Sequence, residues 1–378
     1  MDTTALTDNH LSSLISEFKI DAQIASVKPF GSGHINDTYR ITNNNPNGVD
    51  YLLQRVNHHV FRDVPALMQN LVNVTNHLKQ MLLTIQGADI EKEVLTIVET
   101  KNNQPYFKDE DGNYWRIFHF LKNTRSYDQV ETEKQAFEGG KAFGRFQTLL
   151  SGLDTSLVKD TIPDFHNIES RLSKLLTAID KNAAGRLNEV LPEIEFIKAR
   201  ANKMNEILSS GRAGILPQRI VHNDTKFNNV LLDNEDKAQC VIDLDTVMAG
   251  YVAYDFGDSI RTIINTTAED EADLKLIGLK ITLFEAYTKG YLQEAIDFLT
   301  EAEINSLFKG VLLLPYIQAV RFLTDYLEGD HYFKIHSPDH NLQRTKAQLA
   351  LVKKLEENQE TLQQIILNTW LKLKKQSG

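Results

Sequence analysis

The chain has 378 residues, 42% of them apolar and 24% charged, a composition that excludes a disordered or fibrous protein. Its 51 acidic and 41 basic residues leave a formal charge of −10, the wrong sign for a nucleic-acid or anionic-membrane footprint. A single cysteine, Cys240, excludes an intrachain disulfide, and its apolar neighbours Val241 and Ile242 mark it as a core thiol.

The length suits two lobes. The start, Met1-Asp2-Thr3-Thr4, lacks the basic-then-apolar pattern of a signal peptide. The most apolar run, Gly310 to Val320, is short and interrupted by Pro315. A cytoplasmic protein with no membrane and no nucleic-acid partner is therefore expected.

In chain order, residues 10–20 read as a short helix, and Ile24 to Phe30 as a strand. A Gly-rich turn follows, Gly31-Ser32-Gly33-His34-Ile35-Asn36-Asp37, then a strand from Thr38 to Thr42. The Asn/Pro/Gly-rich run Asn43 to Asp50 is a turn, and Tyr51 to Val56 a third strand. Leu67, Leu71, Val74, Leu78 and Leu82 recur at helical spacing, which predicts a helix over 63–85 capped by Asp63. Val94 to Glu99, Pro105 to Lys108 and Trp115 to Phe120 alternate like strands.

Beyond residue 130, helices are predicted over 131–152, 167–182, 186–210, 271–297, 301–328 and 342–373. Only 219–245 breaks this pattern: Val230-Leu231-Leu232 and Cys240-Val241-Ile242 flank an Asp/Asn-rich turn, a hairpin among helices. The fold class is thus α+β and bilobal, with a small antiparallel-sheet lobe (1–120) and a larger helical lobe (121–378). The last helix is amphipathic, either a docked surface helix or an oligomer interface.

The hairpin carries the chemistry. Asp224 and, five residues on, Asn229 precede its first strand, while Asp243 and Asp245 leave its second. An antiparallel pair brings these ends together. Oxygen-only ligands suit magnesium, which phosphoryl transfer from ATP requires. The transfer also needs an acid to take the acceptor hydroxyl's proton. Asp224 is placed as that catalytic base, Asn229 and Asp243 as metal ligands beside the nucleotide, and Asp245 as a second metal ligand or a substrate contact. Asp255-Phe256-Gly257 spells a kinase metal motif but follows no hairpin strand, so Asp255 and Asp258 are read as structural, capping or pairing with Arg261.

The pattern His222-x-Asp224-x4-Asn229 with Ile242-Asp243-x-Asp245 resembles the aminoglycoside phosphotransferase/choline kinase superfamily, which shares the protein-kinase fold. Further blocks give a closer resemblance to bacterial N-acetylhexosamine 1-kinases: Gly33-His34-Ile35-Asn36, Asp255-Phe256-Gly257-Asp258-Ser259-x-Arg261 and Arg321-Phe322-Leu323-x-Asp325-Tyr326-Leu327-Glu328-Gly329-Asp330. That resemblance implies ATP and Mg as cofactors, and a sugar substrate whose anomeric hydroxyl sits on Asp224. It also implies His34, Arg321 and Tyr332 as sugar contacts, with Thr225 and Asp245 as additional ones. The residues leave alternatives open, since Arg321 is also spaced to pair with Asp325 and His34 to be an ordinary loop histidine.

On the nucleotide side, Gly31, Ser32 and Gly33 form a loop able to lie over phosphates, although Asn36 stands where the last glycine of the full pattern would be. Gln54 occupies the third-strand position where kinases carry a lysine, with Arg55 facing the other way. Phe118-His119-Phe120-Leu121 is the expected hinge, with His119 and Leu121 meeting adenine or, on the plainer reading, aromatics packing in the core. Two other functions stand beside the sugar kinase: a kinase of the same superfamily for an aminoglycoside, choline or homoserine, and a silent nucleotide-binding scaffold.

Overall fold

The computed structural model describes residues 8–31 and 35–377. Strands β1 (Ile24–Pro29), β2 (Asp37–Asn43) and β3 (Tyr51–Val56) follow a first helix α1 (Asp8–Ser16). Helices α2 (Val64–Leu83) and α3 (Ile90–Glu93) and strands β4 (Ile97–Val98), β5 (Phe107–Lys108) and β6 (Tyr114–His119) complete the first lobe. The sheet is antiparallel in the order β1-β2-β3-β6-β4, with β5 also on β6.

The strand period of two sorts the faces. Leu53, Trp115 and Ile117 turn outward and are buried under Leu11, Leu14, Ile15 and Phe18 of the N-terminal segment. Gln54 and Arg116 turn the other way, toward the second lobe, and are paired in register. Arg55 lies on the outer side, bonded to Asp37 at 2.7 Å and facing the Trp115 ring. The expected cap of α2 is present: Ala66 N–H donates to Asp63 Oδ1 at 3.0 Å, with a proline in the first turn.

The second lobe holds α4 (Glu133–Leu150), α5 (Ile168–Lys181), α6 (Leu191–Met204) and α7 (Glu206–Arg212). Strands β7 (Arg219–Val221), β8 (Val230–Leu232), β9 (Ala238–Val241) and β10 (Met248–Gly250) follow, then α8 (Val252–Ile263), α9 (Ile281–Ala295), α10 (Glu301–Glu328), α11 (His340–Glu357) and α12 (Gln359–Ser377). β8 pairs β9 as the expected hairpin, and β10 pairs β7.

Several expected helices differ. The 186–210 helix breaks at Asn205 into α6 and α7, and the 342–373 helix breaks at Asn358 into α11 and α12. The 271–297 helix starts only at Ile281. Helix α8 was not expected at all. Residues 252–261 are all buried, so its polar residues Asp255, Asp258, Ser259 and Arg261 meet partners inside the protein and not water.

Pro315 does not shorten α10, whose 28 residues run from a Thr300/Glu303 capping box to Gly329 in the left-handed region. By length and composition α10 meets the requirement for crossing a membrane, but 78% of its apolar window is buried inside the protein. It packs on α8, α11 and α5 as the central helix of the lobe. At the α8 crossing, a β-carbon on Gly257 would collide with the Gly310 carbonyl, and one on Gly310 with the Ala253 carbonyl. The two backbones are in direct contact. Helix α12 docks against α9 and α10, burying Leu362, Ile366 and Trp370. Cys240 is buried, and burial pushes its thiol up to about 12, as expected of an inert core thiol.

Candidate active site

The loop His222–Lys226 leaves β7 and enters β8 through a single 3₁₀ turn, Phe227–Asn229. Its backbone is held at nearly every polar atom. Asp255, on α8, accepts from the His222 N–H at 2.8 Å and from the Asn223 N–H at 2.7 Å, and Gln147 Nε2 donates to the same carboxylate at 2.7 Å. The His222 carbonyl accepts from Thr246 Oγ1 at 2.8 Å, and the Asn223 carbonyl meets His166 Nε2 at 3.0 Å. The Asp224 carbonyl accepts from Asn229 Nδ2 at 2.8 Å, and the Thr225 carbonyl from Ser259 Oγ at 3.0 Å.

The buried His222 ring, wedged against Phe143 and Phe146, accepts from the Asp224 N–H at Nδ1 and contacts the Ile242 carbonyl through Nε2. Those contacts suit the tautomer with its proton on Nε2. Asn223 adopts φ +65°, and its side chain bonds the Thr246 carbonyl at 3.0 Å. The loop is thus pre-formed by buried hydrogen bonds.

This scaffold presents one carboxylate outward. Asp224 is about a quarter exposed, with Asn229 Nδ2 at 3.2 Å from Oδ2 and Lys226 Nζ at 3.4 Å from Oδ1. The Asp224 charge is the main reason the Lys226 ammonium is held above its usual range. Lys226 was not singled out in the sequence, although it stands two residues after Asp224.

Asp243 follows β9 in the left-handed region, φ +60° and ψ 55°, a conformation aspartate tolerates better than most residues. Its carboxyl is raised by the atoms crowded around it and then by the charges of Asp245 and Asp224, while His222 and Arg116 pull it down, although the residue keeps open surface. Asp224 and Asp243 are close enough for their charges to act on one another. Among the described residues nothing donates a hydrogen bond to the Asp243 carboxylate, and the Asn229 nitrogen is taken by Asp224, which leaves the Asn229 oxygen free. Two oxygen donors with uncompensated negative charge between them fit a hard divalent cation.

Three sequence expectations change. Asp245 is 2% exposed, with both oxygens held by Arg116 at 2.6 and 2.8 Å and by Asn36 at 2.9 Å, so it faces neither an open metal site nor a substrate pocket. The Thr225 hydroxyl is fully buried and donates to the Asp255 carbonyl at 2.6 Å, away from any acceptor. Asp325 does not pair with Arg321. Its carboxylate accepts from the His331, Tyr332 and Phe333 N–H groups and from Asn341 Nδ2, all within 3.0 Å.

Arg321 bonds Gln318 at 2.9 Å and, with Tyr332, lines a cavity of about 220 Å³ that Arg171, Lys174, Thr324, Glu328 and Phe333 also line. Arg171 is held down to about 10 by burial and then by the charge of Arg321. These two guanidiniums also act on the ring of His166, the residue that holds the Asn223 carbonyl. Arg321 lies 5.7 Å from the Phe165 ring and Arg171 donates to the Phe165 carbonyl at 2.8 Å, so the cavity is joined to the Asp224 loop through Phe165 and His166.

On the nucleotide side, Gly31 is exposed at φ +79°, whereas Ser32, Gly33 and His34 lie outside the described residues. The Gln54 amide is engaged within the sheet: its oxygen accepts from Arg116 Nε at 3.0 Å and its nitrogen donates to Thr38 at 3.2 Å. The His119 N–H is taken by Thr96 at 2.9 Å and the Phe120 N–H by Asp50 at 2.8 Å, so neither N–H is open to adenine. The Leu121 N–H takes no partner among the described residues. Asp258 pairs with Arg261 at 2.9 Å, as expected.

His166 gives the site a pH signature. It is buried, and desolvation pulls its imidazole down to about 4. The unfolded chain binds this proton near pH 6.5 and the folded chain only near 4, so stability is lost as pH falls through that window. Between pH 7 and 5 the loss is about 2 kcal/mol. A His166→Gln variant is expected to lose about 2 kcal/mol less than the parent over the same range by urea denaturation. Parallel pH profiles for the two proteins would refute the assignment.

Comparison with known proteins places the fold and the family. Residues 26–292 match the model of the phosphotransferase enzyme family, APH. The fold is similar to an aminoglycoside phosphotransferase from Alicyclobacillus acidocaldarius, with TM-score 0.59 and 13% identity over 93% of this chain and 96% of that one. It is similar to a microcompartment-associated aminopropanol kinase, with TM-score 0.60 and 14% identity over 93% and 97%. A choline kinase from Cryptosporidium parvum gives TM-score 0.56 and 16% identity over 92% and 93%. The matched span is well over half of the chain, and the chain belongs to the phosphotransferase enzyme family.

Proposed function

We propose that the protein transfers the terminal phosphate of ATP to the anomeric hydroxyl of an N-acetylhexosamine. The observation that supports this acceptor is the cavity beside the Asp224 loop. Three cations, Arg171, Lys174 and Arg321, face it with the rings of Tyr332 and Phe333. Its two acids are Asp325, whose carboxylate is bonded by four neutral N–H groups, and Glu328, so the lining carries one positive charge in excess. Guanidinium donors and an aromatic face suit an oxygen-rich, uncharged acceptor, whereas an ammonium would want an acidic or aromatic cage free of cations. That speaks against the amine-bearing substrates in the names of the structural neighbours. The likeness to N-acetylhexosamine 1-kinases at Arg321 and Asp325–Asp330 points the same way.

In this reading Asp224 accepts a hydrogen bond from the acceptor hydroxyl and takes its proton. The new O–P bond forms as the bond from the terminal phosphorus to the bridging oxygen of ATP breaks. Asn229 and Asp243 would hold magnesium, which supplies neutralisation of the developing phosphate charge. Lys226 adds a fixed positive charge beside the base, and the Leu121 N–H is the free hinge donor for adenine.

A screen with ATP and magnesium against N-acetylglucosamine, N-acetylgalactosamine, choline, homoserine and an aminoglycoside tests it. Phosphorus NMR is expected to show a sugar 1-phosphate from one or both hexosamines. Turnover of a cationic acceptor alone would overturn the acceptor assignment but not the family. Nucleotide binding without turnover of any acceptor would favour a scaffold.

A further inference from the structure

Kinases of this architecture send a lysine from the third strand toward the nucleotide phosphates, where it is held by an acid. Here that position is Gln54, and its amide is turned onto a neighbour. Thr38, Gln54 and Arg116 stand side by side on β2, β3 and β6, paired in register and linked by side-chain hydrogen bonds of 3.2 and 3.0 Å. The row ends in the Arg116 guanidinium, which is 2% exposed and grips both oxygens of Asp245 at 2.6 and 2.8 Å. Asn36, itself fixed by the Asn57 N–H at 3.0 Å, donates to the same carboxylate. All three donors to Asp245 come from the sheet lobe, while Asp245 belongs to the helical lobe, two residues after Asp243.

We propose that Arg116 is the positioning residue that replaces the third-strand lysine. It acts on the protein and not on phosphate: by fixing Asp245 it sets the 243–246 turn, and so the direction in which Asp243 projects its carboxylate into the cleft. The turn has few other anchors on this side. The Asp245 carbonyl accepts from Thr161 at 2.9 Å and Thr246 is tied to His222, but both of those partners lie in the helical lobe. The Arg116 fork is the contact that relates Asp243 to the sheet on which ATP would lie. An arginine suits this task better than a lysine, because its planar fork fixes the carboxylate in orientation as well as in distance.

This inference rests on Asp243 serving the metal–nucleotide complex, and the test separates the two. Arg116→Lys, Arg116→Met, the neutral pair Arg116→Met/Asp245→Asn, and Asp243→Asn are compared with the parent. Three quantities are measured: the melting temperature, calorimetric affinity for a non-hydrolysable ATP analogue with Mn²⁺, and kcat. Arg116→Met leaves a lone buried charge and is expected to melt lower, whereas the neutral pair recovers much of the melting temperature. In the neutral pair, affinity for the Mn²⁺–nucleotide complex is expected to fall about tenfold and kcat about 100-fold, the scale of a misplaced reacting group. Arg116→Lys, which keeps the charge and loses the fork, is expected to fall between the two.

A neutral pair that recovers both melting temperature and Mn²⁺–nucleotide affinity would reduce Arg116 to a structural residue and overturn the proposal. If Asp243→Asn itself leaves that affinity unchanged, the metal assignment fails first and the proposal with it.

Discussion

Replacing Asp224 with Asn lowers kcat by about 10² to 10⁴-fold, the range for removing a general base, while affinity for a non-hydrolysable ATP analogue changes little. The geometry separates the two readouts. Asp224 is held by Asn229 at 3.2 Å through one oxygen and faces Lys226 at 3.4 Å through the other; the substituted amide keeps the shape and, with its single oxygen, the Asn229 contact, while the exposed ion pair to Lys226 is lost. What the amide loses is the ability to take a proton. The backbone also stays in place, because the Asp224 N–H and carbonyl are bonded to His222 and Asn229 whatever the side chain carries. Single-turnover kinetics and calorimetry on the same variant check the expectation. An equal fall in nucleotide affinity would make Asp224 a metal ligand or a scaffold residue.

The second large effect is expected at a residue that touches no substrate. Asp255 accepts from two successive backbone N–H groups, His222 and Asn223, and from Gln147, through both of its oxygens. Asp255→Asn leaves one oxygen and sets an NH₂ against at least one of these donors, so a buried N–H loses its acceptor. An unsatisfied buried group costs about 1–3 kcal/mol. The loss of a charged acceptor brings the expected destabilisation to about 3 kcal/mol. Because the displaced backbone is that of the catalytic loop, kcat falls about 100-fold as well. Urea denaturation and steady-state kinetics measure the two losses. Retention of full kcat in a folded variant would show that the loop is held without Asp255.

The parts of the site legible in the sequence are those that lie close together along it. Asp224 and Asn229 share one loop, and Asp243 leaves the strand paired to the next one, so spacing alone brought them to one place. What escaped the sequence is set by partners far away in the chain. The Asp255 contact to the loop spans 32 or 33 residues, and Arg116 reaches Asp245 across 129. Thr225 sits next to the base in sequence, yet its hydroxyl turns into α8, since adjacency fixes neither the side nor the depth of a side chain. Helix α8 was overlooked although its polar and apolar residues alternate at helical spacing; it is only 12 residues long, and its polar side turns onto buried partners. Conversely, α6 with α7 and α11 with α12 merged into single expected helices, because the apolar period runs on through Asn205 and Asn358.

The glycine crossing of α8 and α10 has a mechanical consequence. With Gly257 and Gly310 backbone against backbone, no side chain lies between the two helices to rotate, slide or be compressed. Helix α8 carries Asp255, so the support beneath the proton acceptor is welded to a 28-residue strut running through the middle of the helical lobe. The floor beneath the Asp224 loop is thereby fixed to the centre of the helical lobe with no compressible layer between.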